Sequence, residues 1–174
     1  MKIGVIADTH GNVEAAKSAL FLLKEHGAEI FVHIGDGIAD TIDIEAENGL
    51  HIEKIPGNND LFFDLPEERL FDWNGVKAFA LHGHRQGINR YLGQVEYLEI
   101  LSDLAWKARE HGAEMLLFGH THAPEDLTIN GVRLLNPGAL DFGTIEKTCL
   151  LIDTVNMPQM TLFLKIDKGV AKSS

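Results

Sequence analysis

Cysteine is almost absent from this chain: Cys149 is the single one in 174 residues. One thiol cannot build a disulfide framework, a cysteine-built zinc site or an iron–sulfur site, and a reducing, cytoplasmic location is expected. Basic residues are scarce as well, 15 Lys and Arg against 26 Asp and Glu, which leaves a formal net charge of −11. A surface of that sign with no basic tract repels phosphate backbones, so stable nucleic-acid binding is not expected. Bound divalent cations would reverse that argument locally. No apolar run is long enough to span a bilayer; the run from Ile3 to Ala7 is cut by Asp8 and lacks signal-peptide flanks. The 45% hydrophobic and 24% charged shares are those of a soluble globular protein. A single domain over 1–174 is expected, with a frayed tail from about residue 166. Small enzymes are often symmetric homo-oligomers, and nothing in the sequence argues for or against one.

What is present is a strand–helix–strand opening. "KIGVIAD" reads as a strand covered on both faces. Asn12 caps a helix with Val13, Ala16, Leu20 and Leu23 at helical spacing, and Gly27 stops it. "IFVHIGD" then reads as a second, parallel strand. A partial echo follows: "EHGAEIFVHIGD" and "EHGAEMLLFGHTH" both pass from a helix end through Gly to a strand and a metal-ligand type of side chain. The second helix is expected over 95–109, with Val95, Leu98, Leu101, Ala105 and Ala108 on one face. Beyond about residue 126 the texture changes. Asn130-Gly131 between two β-type runs signals a hairpin, and "TCLLIDT" and "MTLFLKI" read as two more strands. Without helix-length connections these later strands should pair antiparallel, as a second sheet.

Against this acidic background nine histidines stand out. Five apolar runs end in side chains that can bind a metal: Asp8 and His10; Asp36; Asn58, Asn59 and Asp60; His82 and His84; His120 and His122. In an open α/β sheet the carboxyl ends of neighbouring strands share one edge, so these groups are expected to converge there. Carboxylates and imidazoles without thiolate suit Mn, Fe, Co, Ni or Zn better than Ca. So many donors suit two ions, and a pair about 3.5–4 Å apart activates water and clamps phosphoryl oxygens. Hydrolysis of phosphoesters is the implied chemistry.

The order Asp-x-His, Gly-Asp, Gly-Asn-x-Asp, His-Gly-His, Gly-His-x-His over residues 8–122, followed by Asn136-Pro137-Gly138, resembles the calcineurin-like metallophosphoesterases. It resembles in particular their compact bacterial and archaeal phosphodiesterase branch, which is also similar to the Vps29 scaffold proteins. The resemblance implies an α/β fold, a two-sheet sandwich flanked by helices. It implies one ion held by Asp8, His10 and His122, another by Asn58, His82 and His120, with Asp36 bridging and a hydroxide between the ions as nucleophile. His84 would contact phosphate or relay a proton, and Asp60 would brace its neighbours. The implied substrate is a small phosphodiester or nucleotide. Hydrolysis of dinucleoside polyphosphates and an inactive Vps29-like scaffold are the alternatives; the filled ligand positions favour the enzyme, and the missing basic stripe disfavours polyphosphates.

Bland readings stand beside these. Asp8 and Asp36 taken singly read as caps; it is their company of strand-end histidines that reverses this. His26 and His111 precede helix-stopping glycines, where an imidazolium suits the dipole, and His33 and His51 read as packing or surface residues. Arg85 reads either as a phosphate clamp or as a surface arginine, and of Phe62 and Phe63 one is expected in the core. Two positions depart from the family pattern. Asn59 stands where many relatives have a proton-donating histidine, and an amide cannot act as a general acid. Ala139 stands where a serine is frequent, so a hydroxyl contact to substrate is missing.

Overall fold

The computed structural model describes residues 1–156 and 160–166. Most of the tail expected from about 166, residues 167–174, lies outside them. The opening unit forms as the pattern predicts: β1 (Lys2–Ile6), α1 (Val13–Glu25) and β2 (Ile30–His33), with β1 and β2 parallel and Ile3 opposite Ile30. The Asn12 side chain accepts the Ala15 N–H and so satisfies one of the donors that a helix start leaves open. A short 3-10 turn (Ile38–Thr41) and α2 (Ile42–Asn48) lead to β3 (Ile52–Lys54), parallel to β2.

The second sheet begins with β4 (Glu68–Trp73) and β5 (Val76–Leu81), a hairpin turned by Asn74 and Gly75, both at positive φ (57° and 90°). This is the same signal that turns β7 (Pro124–Ile129) into β8 (Val132–Pro137) through Asn130 and Gly131. Between the hairpins lie α3 (Gln94–Glu110) and β6 (Met115–Leu117). β9 (Thr148–Asp153) and β10 (Met160–Lys165) complete the strands among the described residues.

The two five-stranded sheets run β10-β9-β1-β2-β3 and β4-β5-β6-β8-β7. The late strands pair antiparallel within their hairpins, β7 with β8 and β9 with β10, but their expected place together in a second sheet is corrected. β9 and β10 return to the first sheet beside β1, and β8 lies parallel to β6. Short connections specify the local hairpin, but the outer partner of each hairpin is chosen by the apolar surface it covers.

That surface is continuous. Ile3, Val5, Val32, Ile34 and Ile55 of the first sheet pack on Trp73, Ala78, Met115, Leu117 and Leu135 of the second. The opposite faces take helices: Ala16, Ala19, Leu20 and Leu23 of α1 against Ile6 and Phe31, and Leu101, Leu104, Ala105 and Ala108 of α3 against Phe79, Leu116 and Leu134. Each buried large side chain adds roughly 1.5–3 kcal/mol of hydrophobic stabilisation. The expected face of α3 is corrected at its start. Val95 and Leu98 are exposed, because the i, i+3, i+4, i+7 set that meets the sheet begins at Leu101.

Gly4 sets the approach of α1 to β1: a Cβ there would stand 2.9 Å from Leu23 Cδ1 and 3.1 Å from Leu23 Cβ. Gly4→Ala is expected to lower stability by about 1–3 kcal/mol through overpacking, measured by urea unfolding. An unchanged midpoint would mean that α1 yields without cost.

Candidate metal centre

Asp8 and His10 follow β1, Asp36 follows β2, and Asn58 to Asp60 follow β3, all in the first sheet; His82 and His84 follow β5, and His120 and His122 follow β6, in the second. The convergence at one edge of a single open sheet is therefore corrected: the loops meet from two stacked sheets. Asp8 makes the junction. Its N–H donates to the Gly35 carbonyl, its own carbonyl accepts from Leu140 N–H, and its Oδ2 accepts from His120 N–H at 3.0 Å.

The backbone here is held where side chains rarely allow it. Among the described residues, the non-glycine positions at positive φ are Asp8, His10, Asp36, His120 and His122, together with the two hairpin asparagines. Left-handed backbone costs about 1–2 kcal/mol per residue, so five such residues in one place need a local reason.

The ligand atoms of Asp8, His10 and His122 lie within 4.8 Å of one another, and so do those of Asp36, His82 and His120. The two groups share their carboxylates. Asp36 Oδ2 is 3.6 Å from His10 Nε2 and 3.5 Å from His82 Nε2, while Asp8 Oδ1 is 3.4 Å from His122 Nε2 and 3.9 Å from His82 Nε2. His10 and His122 bring their Nε2 atoms to 3.2 Å. His84 stands beside the second group, its ring 5.5 Å from that of His82 and 6.3 Å from that of His120.

The family model of the calcineurin-like phosphoesterase superfamily domain matches residues 1–157. The chain belongs to this superfamily. A phosphodiesterase of Methanocaldococcus jannaschii is 26% identical over 153 residues, which are 79% of this chain and 83% of that protein. The solved structure of an archaeal phosphodiesterase superposes with a TM-score of 0.72 at 21% identity, covering 94% of this chain and all of the other. Zinc-complexed Vps29 of Entamoeba histolytica gives 0.64 at 20% identity, covering 95% and 99%. These likenesses show the fold of the sandwich, in this phosphoesterase as in an enzyme and in a Vps29.

Membership in a metallophosphoesterase superfamily implies divalent ions, and the residues present fit them. Four buried side-chain atoms lack a hydrogen-bond partner among the described residues, and Asp8 Oδ1, His82 Nε2 and His84 Nδ1 are three of them. Leaving such atoms unpaired costs free energy unless something else binds them. His82 Nδ1 lies 2.6 Å from the Ile34 carbonyl, which it reaches as an N–H donor, so that Nε2 is the free nitrogen. The charges agree. Burial opposes protonation of His82, yet the Asp36 and Asp8 carboxylates outweigh it and raise its pKa. Asp8, followed by Asp141, raises that of His122 against burial. Burial opposes ionisation of Asp36, but His82 and the Asn59 hydrogen bonds hold its carboxyl far below the usual range. Burial and the neighbouring His82 lower the pKa of His84 and of His120, which favours neutral imidazoles with free nitrogens.

The Gly57–Asp60 loop carries the clearest division of labour. Asp60 accepts the N–H groups of Asp36, Gly37, Ile38 and Gly57 at 2.7–3.0 Å and is buried, so its carboxylate braces backbone. Asn59 donates through both its backbone N–H and Nδ2 to the Asp36 carboxylate, each at 2.8 Å. Asn58 is exposed. Gly57 is required because a Cβ there would fall 2.2 Å from Asp36 Oδ1.

Of the two readings of Arg85 the surface one holds, whereas the phenylalanines depart from expectation. Arg85 pairs with Glu67 at 2.5 Å, as a surface arginine. Phe62 is 98% exposed and Phe63 half-buried, so neither is in the core; the loop that positions Asp60 turns away from the sheets. His33 is fully buried beneath the site. Its Nδ1 accepts the Gly35 N–H, and burial pushes its pKa down to about 4 against the pull of Asp60, Asp8 and Asp40. Thr9 Oγ1 donates to Asp40, whose Oδ2 also accepts the Gly11 N–H.

Three supports carried no recognisable role in the sequence. Asp141 meets His122 Nδ1 at 2.6 Å; Asn136 Nδ2 donates to the Gly119 carbonyl and Thr121 Oγ1, holding the His120–His122 loop; and Asp40 fixes Thr9. Only Asn136 lay in a motif that could have pointed to it. A carboxylate that orients a metal-binding histidine is typically worth about 10- to 100-fold in metal affinity. Asp141→Asn is expected to weaken Mn binding by that factor in a calorimetric titration, with little change in urea stability; unchanged affinity would reduce Asp141 to a surface ion pair.

Proposed function

We propose that this phosphoesterase is a phosphodiesterase that uses two divalent transition-metal ions, from among Mn, Ni, Fe, Co and Zn, and acts on small diesters or nucleotides with good leaving groups. The observation that carries the proposal is the pair of ligand groups that share the Asp8 and Asp36 carboxylates, with buried nitrogen and oxygen atoms left unpartnered between them. Asp8, His10 and His122 would hold one ion; His82, His120 and, by the family pattern, Asn58 would hold the other, and Asp36 would face both. When bound, such ions activate water and polarise phosphoryl oxygens. The diesterase activity named for the Methanocaldococcus jannaschii relative supports the same bond type.

The protein's own residues then divide the work. Asp36 is oriented by Asn59 at both oxygens, which prepares it for a bridging position. His84, whose pKa is lowered by burial and by His82, is disposed as a neutral hydrogen-bonding group beside the second ligand set. It would orient a phosphoryl oxygen or pass a proton. Asn59 is committed to Asp36 and, being an amide, cannot protonate a leaving alkoxide. General acid assistance is worth about 10²- to 10⁴-fold, so departure of the leaving group rests on its own acidity.

Hydrolysis of bis(p-nitrophenyl) phosphate should appear with added Mn or Ni and vanish on chelation. Inactivity with every metal tested would sink the enzyme and favour a scaffold of the Vps29 kind. In a series of aryl and alkyl diesters, the rate should fall steeply with leaving-group pKa, and Asn59→His should flatten the slope. A flat wild-type series would contradict the missing proton donor.

A further inference from the structure

A cavity of about 230 Å³ opens beside the ligand groups, lined by His120, Thr121 and His122 on one side and by Asn89, Arg90 and Tyr91 on the other. The second wall is a built loop. Ile88 is buried and donates its N–H to the Gly83 carbonyl, which ties the loop to the His82–His84 segment. The Asn89 side chain is spent on the Tyr91 N–H at 2.9 Å. Arg90 Nη2 donates to Tyr91 Oη at 2.9 Å, and its guanidinium lies 5.0 Å from the centre of the Tyr91 ring.

The charge of Arg90 has no carboxylate to meet among the described residues. Arg69, Arg85 and Arg133 each pair with one, namely Glu53, Glu67 and Asp126, and Arg109 donates to the Asn130 carbonyl. In a chain of formal net charge −11, an uncompensated guanidinium on the wall of the site's own cavity is an unusual arrangement. Its ring contact and hydroxyl partner hold it in place without neutralising it. A guanidinium so placed suits a phosphate, which it can meet with two parallel N–H groups. One arginine suits one further phosphate; a chain of several would meet the acidic surface.

We propose that Arg90, held by Tyr91, is a specificity-determining residue that receives a second phosphate carried by the substrate. The substrate class is then a nucleotide-type diester bearing one additional phosphate away from the bond that is cleaved. This rests on the phosphodiesterase reading, and two separate measurements keep them apart.

Binding is measured by calorimetry on the Mn-supplemented protein, with thymidine 3′,5′-bisphosphate and thymidine 5′-monophosphate, which differ only in the 3′-phosphate. The bisphosphate should bind about tenfold tighter, the order expected of one charge-assisted contact at an open site. Arg90→Met should bring the ratio close to one, whereas Arg85→Met, which removes an arginine already paired with Glu67, should preserve it. A wild-type ratio near one, or a ratio that survives Arg90→Met, overturns the subsite. Turnover is measured on the 5′-(p-nitrophenyl) esters of the same two nucleotides. If neither is cleaved while the binding ratio holds and depends on Arg90, the diesterase reading fails and the anion subsite stands. If both are cleaved with equal efficiency and equal affinity, the subsite fails and the diesterase stands.

Discussion

Asp8 is the constraint on which the centre depends. It is buried, its backbone is left-handed, and its hydrogen bonds reach the end of β2, the loop after β6 and the loop after β8. One residue therefore fixes the separation of the two sheets where the ligands meet. After these contacts its Oδ1 alone is unpartnered, and that atom faces His10, His82 and His122. A buried carboxylate oxygen facing three imidazoles is costly in a dry interior and valuable next to a cation. The fold thus holds an unpartnered, buried carboxylate oxygen at the point where a metal would pair it.

The same logic accounts for the bracing around it. Asp60 gathers four backbone N–H groups from two loops, Asn59 grips Asp36, Asn136 holds the His120 loop, and His33 supports Gly35 from below. None of these contacts is long-range in effect. Each removes freedom from one candidate ligand or its loop, so that the left-handed residues are held by hydrogen bonds to their own or neighbouring loops. Preorganisation of this kind keeps charged groups in place before any ligand arrives, which lowers the cost of ordering them later.

How much of this could be read from the chain follows from how local each cause is. The candidate ligands at the strand ends were legible as a set because Asp and His beside Gly, repeated at five strand ends, seldom arise from capping or packing alone. The Asn130-Gly131 turn was legible for a reason internal to two residues, and Asn74-Gly75 carries the same signal, although it drew no expectation. The choice of sheet for β8, β9 and β10 was not legible, since it depends on which apolar faces remain uncovered after the other strands have paired. Nor were Asp141 and Asp40, because a lone carboxylate in a loop looks the same whether it meets solvent, an imidazole or a hydroxyl. The buried face of α3 starts later than its apolar spacing suggests for a related cause: spacing marks a stripe, but the length of sheet beneath it decides where the stripe is buried.

The acidity of the whole chain bears on the order of events at the centre. Without bound cations, the cleft presents Asp8, Asp36 and Asp141 to an approaching phosphate, within a molecule whose net charge is −11. Such a field attracts divalent cations and repels phosphoesters over roughly a Debye length, about 8 Å at physiological ionic strength. Two divalent ions would add four positive charges between the shared carboxylates and reverse the local sign. Under the proposed two-metal reading, cation binding would precede substrate binding as well as the chemistry, and a substrate with several further phosphates would still meet a repulsive surface beyond the cleft. On that reading, the field of the whole molecule would favour compact substrates before any particular side chain touches them.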